Sequence, residues 1–157
     1  YVGRLRRLPE DVVTARTEEL LRVLDLLGSA DKLVVDYSAG MTKKIGLAAA
    51  LIHAPRLLVL DEPFESVDPV SGETIRAILR DLVAAGGTVV FSSHVMELVE
   101  QLCDHVAVVA AGRVLASGPT EAVRGGIPLQ ARFLQLLGAP APREGALSWL
   151  HSSSGSS

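Results

Sequence analysis

The chain has 157 residues, 48% of them hydrophobic, enough for one modest domain with a real core. A formal net charge of -3, with 21% charged residues, provides no broad basic field, so nucleic acid is not an expected partner and coating of an anionic membrane has no electrostatic support. The single Cys103 can close neither an internal disulfide nor a zinc site, which fits a reducing, cytoplasmic setting, and no apolar stretch reaches the roughly 18 residues of a membrane-spanning helix.

No charged run followed by an apolar stretch opens the sequence at Tyr1, and the chain reads as beginning mid-protein. Pro9, Glu10 and Asp11 form a first helical turn, Val13, Leu20, Leu24 and Leu27 follow at helical spacing, and Gly28 marks a stop. A second helix is expected from Ser38 to about His53, with Met41, Ile45, Ala48 and Ile52 on one face and Pro55 beyond its end. Leu57 to Leu60 has the profile of a strand buried on both faces, closed by Asp61 and Glu62. Asp68 and Pro69 read as the N-cap and first position of a helix with Ile75, Ile78, Leu79 and Leu82 as its buried stripe, ending at Gly86-Gly87. Thr88 to Phe91 is a second buried strand.

Strand, helix, strand in this order imply a right-handed parallel crossover, which brings both strand ends to one sheet edge, where ligands bind in such folds. A short helix from Val95 to about Cys103 follows, then a hairpin around Ala111-Gly112 and two short helices within 119–138. Beyond Gly138 the composition turns to Pro, Ala, Gly and Ser, and disorder is expected over 139–157.

The chemistry gathers at the two strand ends. Adjacent carboxylates after an apolar strand are costly unless they hold a metal or move a proton, although an exposed loop start is an equal reading of that pair alone. Asp61 suits magnesium, which prefers hard oxygen ligands shared with water and phosphate, and Glu62 then faces an attacking water as base or positioner. His94 ends the neighbouring strand, where an imidazole can sense a terminal phosphate. These three side chains are expected to cluster. His53 and Cys103 read as structural, Met41 as packing, and Lys43 with Lys44 as a solvated helix face.

Tyr37-Ser38-Ala39-Gly40-Met41 resembles the signature motif of ABC ATPases, and Leu57 to Pro63, about twenty residues on, resembles their Walker B strand. Ser66-Val67-Asp68 is similar to the D-loop, Ser92-Ser93-His94 to the switch-histidine loop, and the hairpin around Gly112-Arg113-Val114 to the segment after it. Four motifs in fixed order over residues 1 to about 138 make a chance match very unlikely.

The resemblance implies an α/β fold, the C-terminal part of a RecA-like P-loop NTPase core with part of the ABC helical subdomain. Residues 1–54 would carry the signature, 55–118 the core and 119–138 closing helices. It implies magnesium held through water at Asp61, water polarised by Glu62 and the γ-phosphate contacted by His94. It also implies that Ser38, Ala39, Gly40 and Met41, with Asp68, serve ATP held by a second nucleotide-binding domain in a head-to-tail dimer, with their helix opening away from the Glu62 cluster. A helix N-terminus suits that use through its free N–H groups and positive dipole end. Ser38 and Asp68 also qualify as simple N-caps.

Two departures from the family pattern stand out: Ala39 replaces the commoner glycine and Met41 the commoner glutamine, and no G-x-x-x-x-G-K-[ST] run occurs. That run supplies most phosphate affinity, so the chain by itself is expected to turn over no ATP. The function implied is the ATP-hydrolysing subunit of an ABC transporter, peripheral on the inner face of the cell membrane and coupled to a transmembrane partner. The alternatives are a soluble ABC ATPase acting on DNA or ribosomes and a truncated, non-catalytic remnant.

Overall fold

The computed structural model describes residues 1–138, so the tail expected to be disordered lies outside the described residues. The chain divides into two compact units, residues 1–95 and the residues from Met96 onward.

The first unit opens with a one-turn helix α1 (Val2–Leu5) and the amphipathic α2 (Glu10–Val23), whose first turn carries Glu10 and Asp11 as the dipole favours. Helix α2 stops short of Gly28. Asp25 adopts a left-handed conformation with φ 54°, and this break lets both Leu24 and Leu26 enter the core, which a continuing helix would not allow. Helix α3 (Ala39–Leu51) starts at Ser38, whose hydroxyl accepts the Met41 N–H at 3.3 Å. It ends before Ala54, left-handed at φ 50°, and Pro55.

Strand β1 (Leu57–Leu60) pairs in parallel with β2 (Thr88–Phe91), joined by α4 (Pro69–Ala84). Leu60 lies opposite Phe91, so the next residues of both strands emerge at the same edge. Asp68 caps α4 by accepting the Ser71 N–H at 3.0 Å, and Pro69 occupies the first helical position. Leu24, Leu26, Leu47, Ala48, Leu58, Ile75 and Leu79 form the core between these elements. Helix α3 therefore shares one core with β1 and α4.

The expectation of strands buried on both faces does not hold. Leu58 is buried, but Leu57 and Val59 are 59% and 67% exposed. Among the described residues β1 has a single strand neighbour, and the elements that cover it pack on the Leu58 side alone.

The second unit contains α5 (Met96–Leu102), the antiparallel hairpin of β3 (His105–Ala110) and β4 (Arg113–Pro119), and helices α6 (Thr120–Arg124) and α7 (Leu129–Leu136). Ala111 and Gly112 both have positive φ, 47° and 70°, the pairing that a two-residue hairpin turn demands. Val108, Val123 and Leu129 make its core, and Glu100 ties α5 to the later helices by accepting from Arg124 Nη1 at 2.5 Å and from the Leu129 N–H at 3.1 Å. Cys103 is only half-buried, and that burial pushes its thiol upward, away from a reactive thiolate.

Candidate functional site

The edge where β1 and β2 end gathers Asp61, Glu62, Ser92 and His94. His94 Nδ1 lies 2.9 Å from Glu62 Oε1, the predicted meeting of carboxylate and imidazole. Asp61 joins through Ser92, whose hydroxyl donates to Asp61 Oδ1 at 2.5 Å and accepts the Glu62 N–H at 2.9 Å. One hydroxyl thus binds the side chain of the first acid and the backbone of the second. Glu62 has φ 45°, a left-handed conformation uncommon outside glycine.

The pair has unequal exposure. The Glu62 side chain is 27% exposed and that of His94 69%. The hydrogen bond to Glu62, followed by the carboxylate's charge, raises the His94 pKa from its ordinary value. The favourable pairing is complete below the ordinary imidazole value and is lost as pH rises through the raised one. We expect Glu62→Gln to bring His94 titration down toward the ordinary value, read from the imidazole C–H resonances against pH. An unchanged titration would mean the two groups do not pair in solution.

The signature-like residues form a second feature of the same unit. An open hollow of about 350 Å³ is lined by Ser38 to Met41, Lys44, Ser66 and Asp68. A Cβ on Gly40 would sit 2.9 Å from the Ser66 carbonyl oxygen, a backbone atom that no side-chain rotation can move aside. Gly40 is thus required by close approach, whereas the neighbouring Ala39 is exposed and takes its methyl without cost. Gly40→Ala should destabilise the unit by about 1–3 kcal/mol through overpacking, measured by denaturant unfolding. Ser38 bonds within its own cap, and none of its hydrogen bonds involves Glu62.

Lys43 and Lys44 do not form a solvated face. Lys44 is buried and donates to Ser71 Oγ at 3.3 Å. Lys43 Nζ donates to the carbonyls of Glu62 at 2.9 Å and Asp61 at 3.3 Å, and lies 3.9 Å from the Glu65 carboxylate. A run of basic residues on a helix says nothing about which carbonyls lie opposite, so no local signal marked them. Ser92 was legible in principle, because the parallel register that sets Leu60 beside Phe91 brings the residues after them together. Met41 packs against the core, and His53 Nδ1 is buried with no hydrogen-bond partner among the described residues.

A family model described as "AAA domain, putative AbiEii toxin, Type IV TA system" matches residues 19–100. The chain is 39% identical over 122 residues to the daunorubicin resistance ATP-binding protein DrrA3 of Streptomyces coeruleorubidus, covering 78% of this chain and 39% of that protein. It is 40% identical over 116 residues to the Nod factor export ATP-binding protein I of Rhizobium meliloti, covering 74% and 35%. An uncharacterized ABC transporter ATP-binding protein of Synechocystis is 36% identical over 130 residues, covering 80% and 36%. The chain spans less than half the length of these relatives. A solved ATP-binding subunit of an ABC transporter superposes with a TM-score of 0.81 at 26% identity, over 87% of this chain and 59% of that one. A nucleotide-free ABC cassette, TM-score 0.65 at 23% identity, agrees in fold. The chain belongs to the AAA-domain family that this model describes, and its relatives are ABC transporter ATP-binding proteins, whose RecA-like α/β fold it shares.

Proposed function

We propose that this chain supplies the hydrolytic edge and the signature surface of an ABC transporter nucleotide-binding subunit, which couples ATP-driven dimerisation to a transmembrane partner. The observation that supports it best is the Asp61–Ser92–Glu62–His94 network at the common end of two parallel strands. In this reading residues 1–54 belong to the helical subdomain, 55–118 to the core and 119–138 to its closing helices. The subunit lies at the cytoplasmic face of the membrane. No helix among the described residues is long and apolar enough to cross a membrane, and this reading assigns translocation to the transmembrane partner.

Among the described residues no cluster of three or more His, Cys, Asp or Glu side chains could hold a metal. The donor chemistry at Asp61 suits magnesium, which takes hard oxygen ligands from one or two carboxylates together with water and phosphate. Asp61 would hold it, and bound there it would neutralise developing phosphate charge. Glu62 orients the attacking water and accepts its proton. His94 Nδ1 fixes the Glu62 carboxylate at 2.9 Å and presents the rest of a largely exposed ring to the γ-phosphate. Ser38 and Gly40, opening α3, offer amides to the nucleotide of a second subunit, with Ala39 and Met41 completing that turn and Asp68 lying beside it.

The test is association. In a nucleotide-binding subunit that carries this chain, Glu62→Gln should give an ATP- and magnesium-dependent dimer in light scattering, and adding Ser38→Arg should abolish it. Equal dimerisation with and without the Ser38 change would remove the signature surface from the interface.

A further inference from the structure

We propose that Lys43 is a positioning residue for Glu62, tying the helix that opens at Ser38 to the turn that presents the catalytic carboxylate. The proposal rests on the hydrolytic role given to Glu62 above and names what holds that group in place.

Glu62 sits in a left-handed conformation at φ 45°, which a residue with a Cβ keeps only when its surroundings over-determine it. Ser92 accepts its N–H at 2.9 Å, and His94 engages its carboxylate at 2.9 Å. Both restraints come from the end of β2. The Glu62 carbonyl, two residues beyond β1, accepts from Lys43 Nζ at 2.9 Å and from the Glu65 N–H at 3.2 Å. The same ammonium reaches the Asp61 carbonyl at 3.3 Å.

Among the described residues, Lys43 makes the only side-chain hydrogen bonds that reach the Asp61 and Glu62 carbonyls from α3, the helix whose first residues line the signature hollow. It lies about one helical turn beyond Gly40 on that rigid element. A shift of α3, as when its N-terminus engages or releases a ligand, therefore pulls directly on the Glu62 carbonyl. An ammonium shared by two consecutive carbonyls orients a peptide plane in a way that water, free to reorient, does not. The charge-assisted bond is also stronger than its neutral counterparts.

Nuclear magnetic resonance on the 157-residue chain decides this without any ATP turnover. Wild type would be compared with Lys43→Met, Lys43→Arg and Ser92→Ala for the Glu62 Cα shift, amide exchange at Glu62 and Glu65, and melting temperature. The Lys43 side chain is only partly buried, so methionine keeps its stem packing while removing the donor. Lys43→Met should move the Glu62 Cα shift toward ordinary right-handed values. It should also speed exchange at Glu62 and Glu65 by about tenfold, the loss of one hydrogen bond to a charged group. The melting temperature should fall by only a few degrees, as the loss of one such bond allows, and arginine should restore both signals. Ser92→Ala should speed exchange at Glu62 with a smaller effect at Glu65, which reports the Lys43 side of the turn separately. Glu62 signals in Lys43→Met that match wild type would overturn the proposal. Normal turnover in Glu62→Gln would instead overturn the hydrolytic reading and leave the tie standing, so the two failures are distinct.

Discussion

Glu62→Gln, in a nucleotide-binding subunit that carries this chain, is expected to lower steady-state ATP turnover by roughly 10²–10⁴-fold, the usual contribution of general-base assistance. The change keeps the side chain's length and planarity. The amide oxygen can still meet His94 Nδ1, now 2.9 Å from Oε1, and the backbone bonds to Ser92 and Lys43 are untouched. What disappears is the negative charge that, in the proposed mechanism, orients water and takes its proton. Nucleotide affinity should therefore hold within a few-fold, because no phosphate contact is assigned to this side chain. Turnover by coupled assay and affinity by titration calorimetry separate the two effects. Near-normal turnover would move the base elsewhere, while a parallel collapse of affinity would show that the turn itself had been disturbed.

The largest stability effect is expected at Ile75. This residue is 1% exposed and lies on α4 in the cluster with Leu24, Leu26, Leu47, Leu58 and Leu79. Ile75→Ala removes three carbons where strand, helix and the α2 terminus meet, and should cost about 2–5 kcal/mol through lost burial and the cavity left behind. The denaturant midpoint should fall with little change in slope, since the surface exposed on unfolding is nearly the same. Val35, 83% exposed, provides the contrast, as its replacement by alanine should stay within about 0.5 kcal/mol. A loss below 1 kcal/mol at Ile75 would mean that the core can close over the gap. Because β1 rests on this cluster through Leu58, the same substitution tests whether the carboxylate edge depends on core rigidity.

Much of the architecture was legible because its causes are local. Short apolar runs at 57–60 and 89–91, with an amphipathic stripe on Ile75, Ile78, Leu79 and Leu82 between them, specify a parallel crossover through side-chain period and chain handedness alone. Ser38 and Asp68 announced their helices because an N-cap acts within three residues of itself. The meeting of Glu62 with His94 followed from that topology, since parallel neighbours end at one edge.

Tertiary structure decided the rest. Helix α2 ends at Val23 because burying both Leu24 and Leu26 outweighs one more helical turn, a competition that helical spacing does not register. Gly40 is required by a carbonyl at Ser66, twenty-six positions away, and Lys43 finds its acceptors at positions 61 and 62. Leu57 and Val59 are exposed because cover over a strand face depends on what packs there and not on the strand's own residues. Periodicity and capping are properties of neighbouring residues in one chain segment, so residue order by itself determined the elements and the edge that carries the acids. Close approach, ammonium–carbonyl bonding and burial depend on atoms that only folding brings together, and these determined how Glu62 is held.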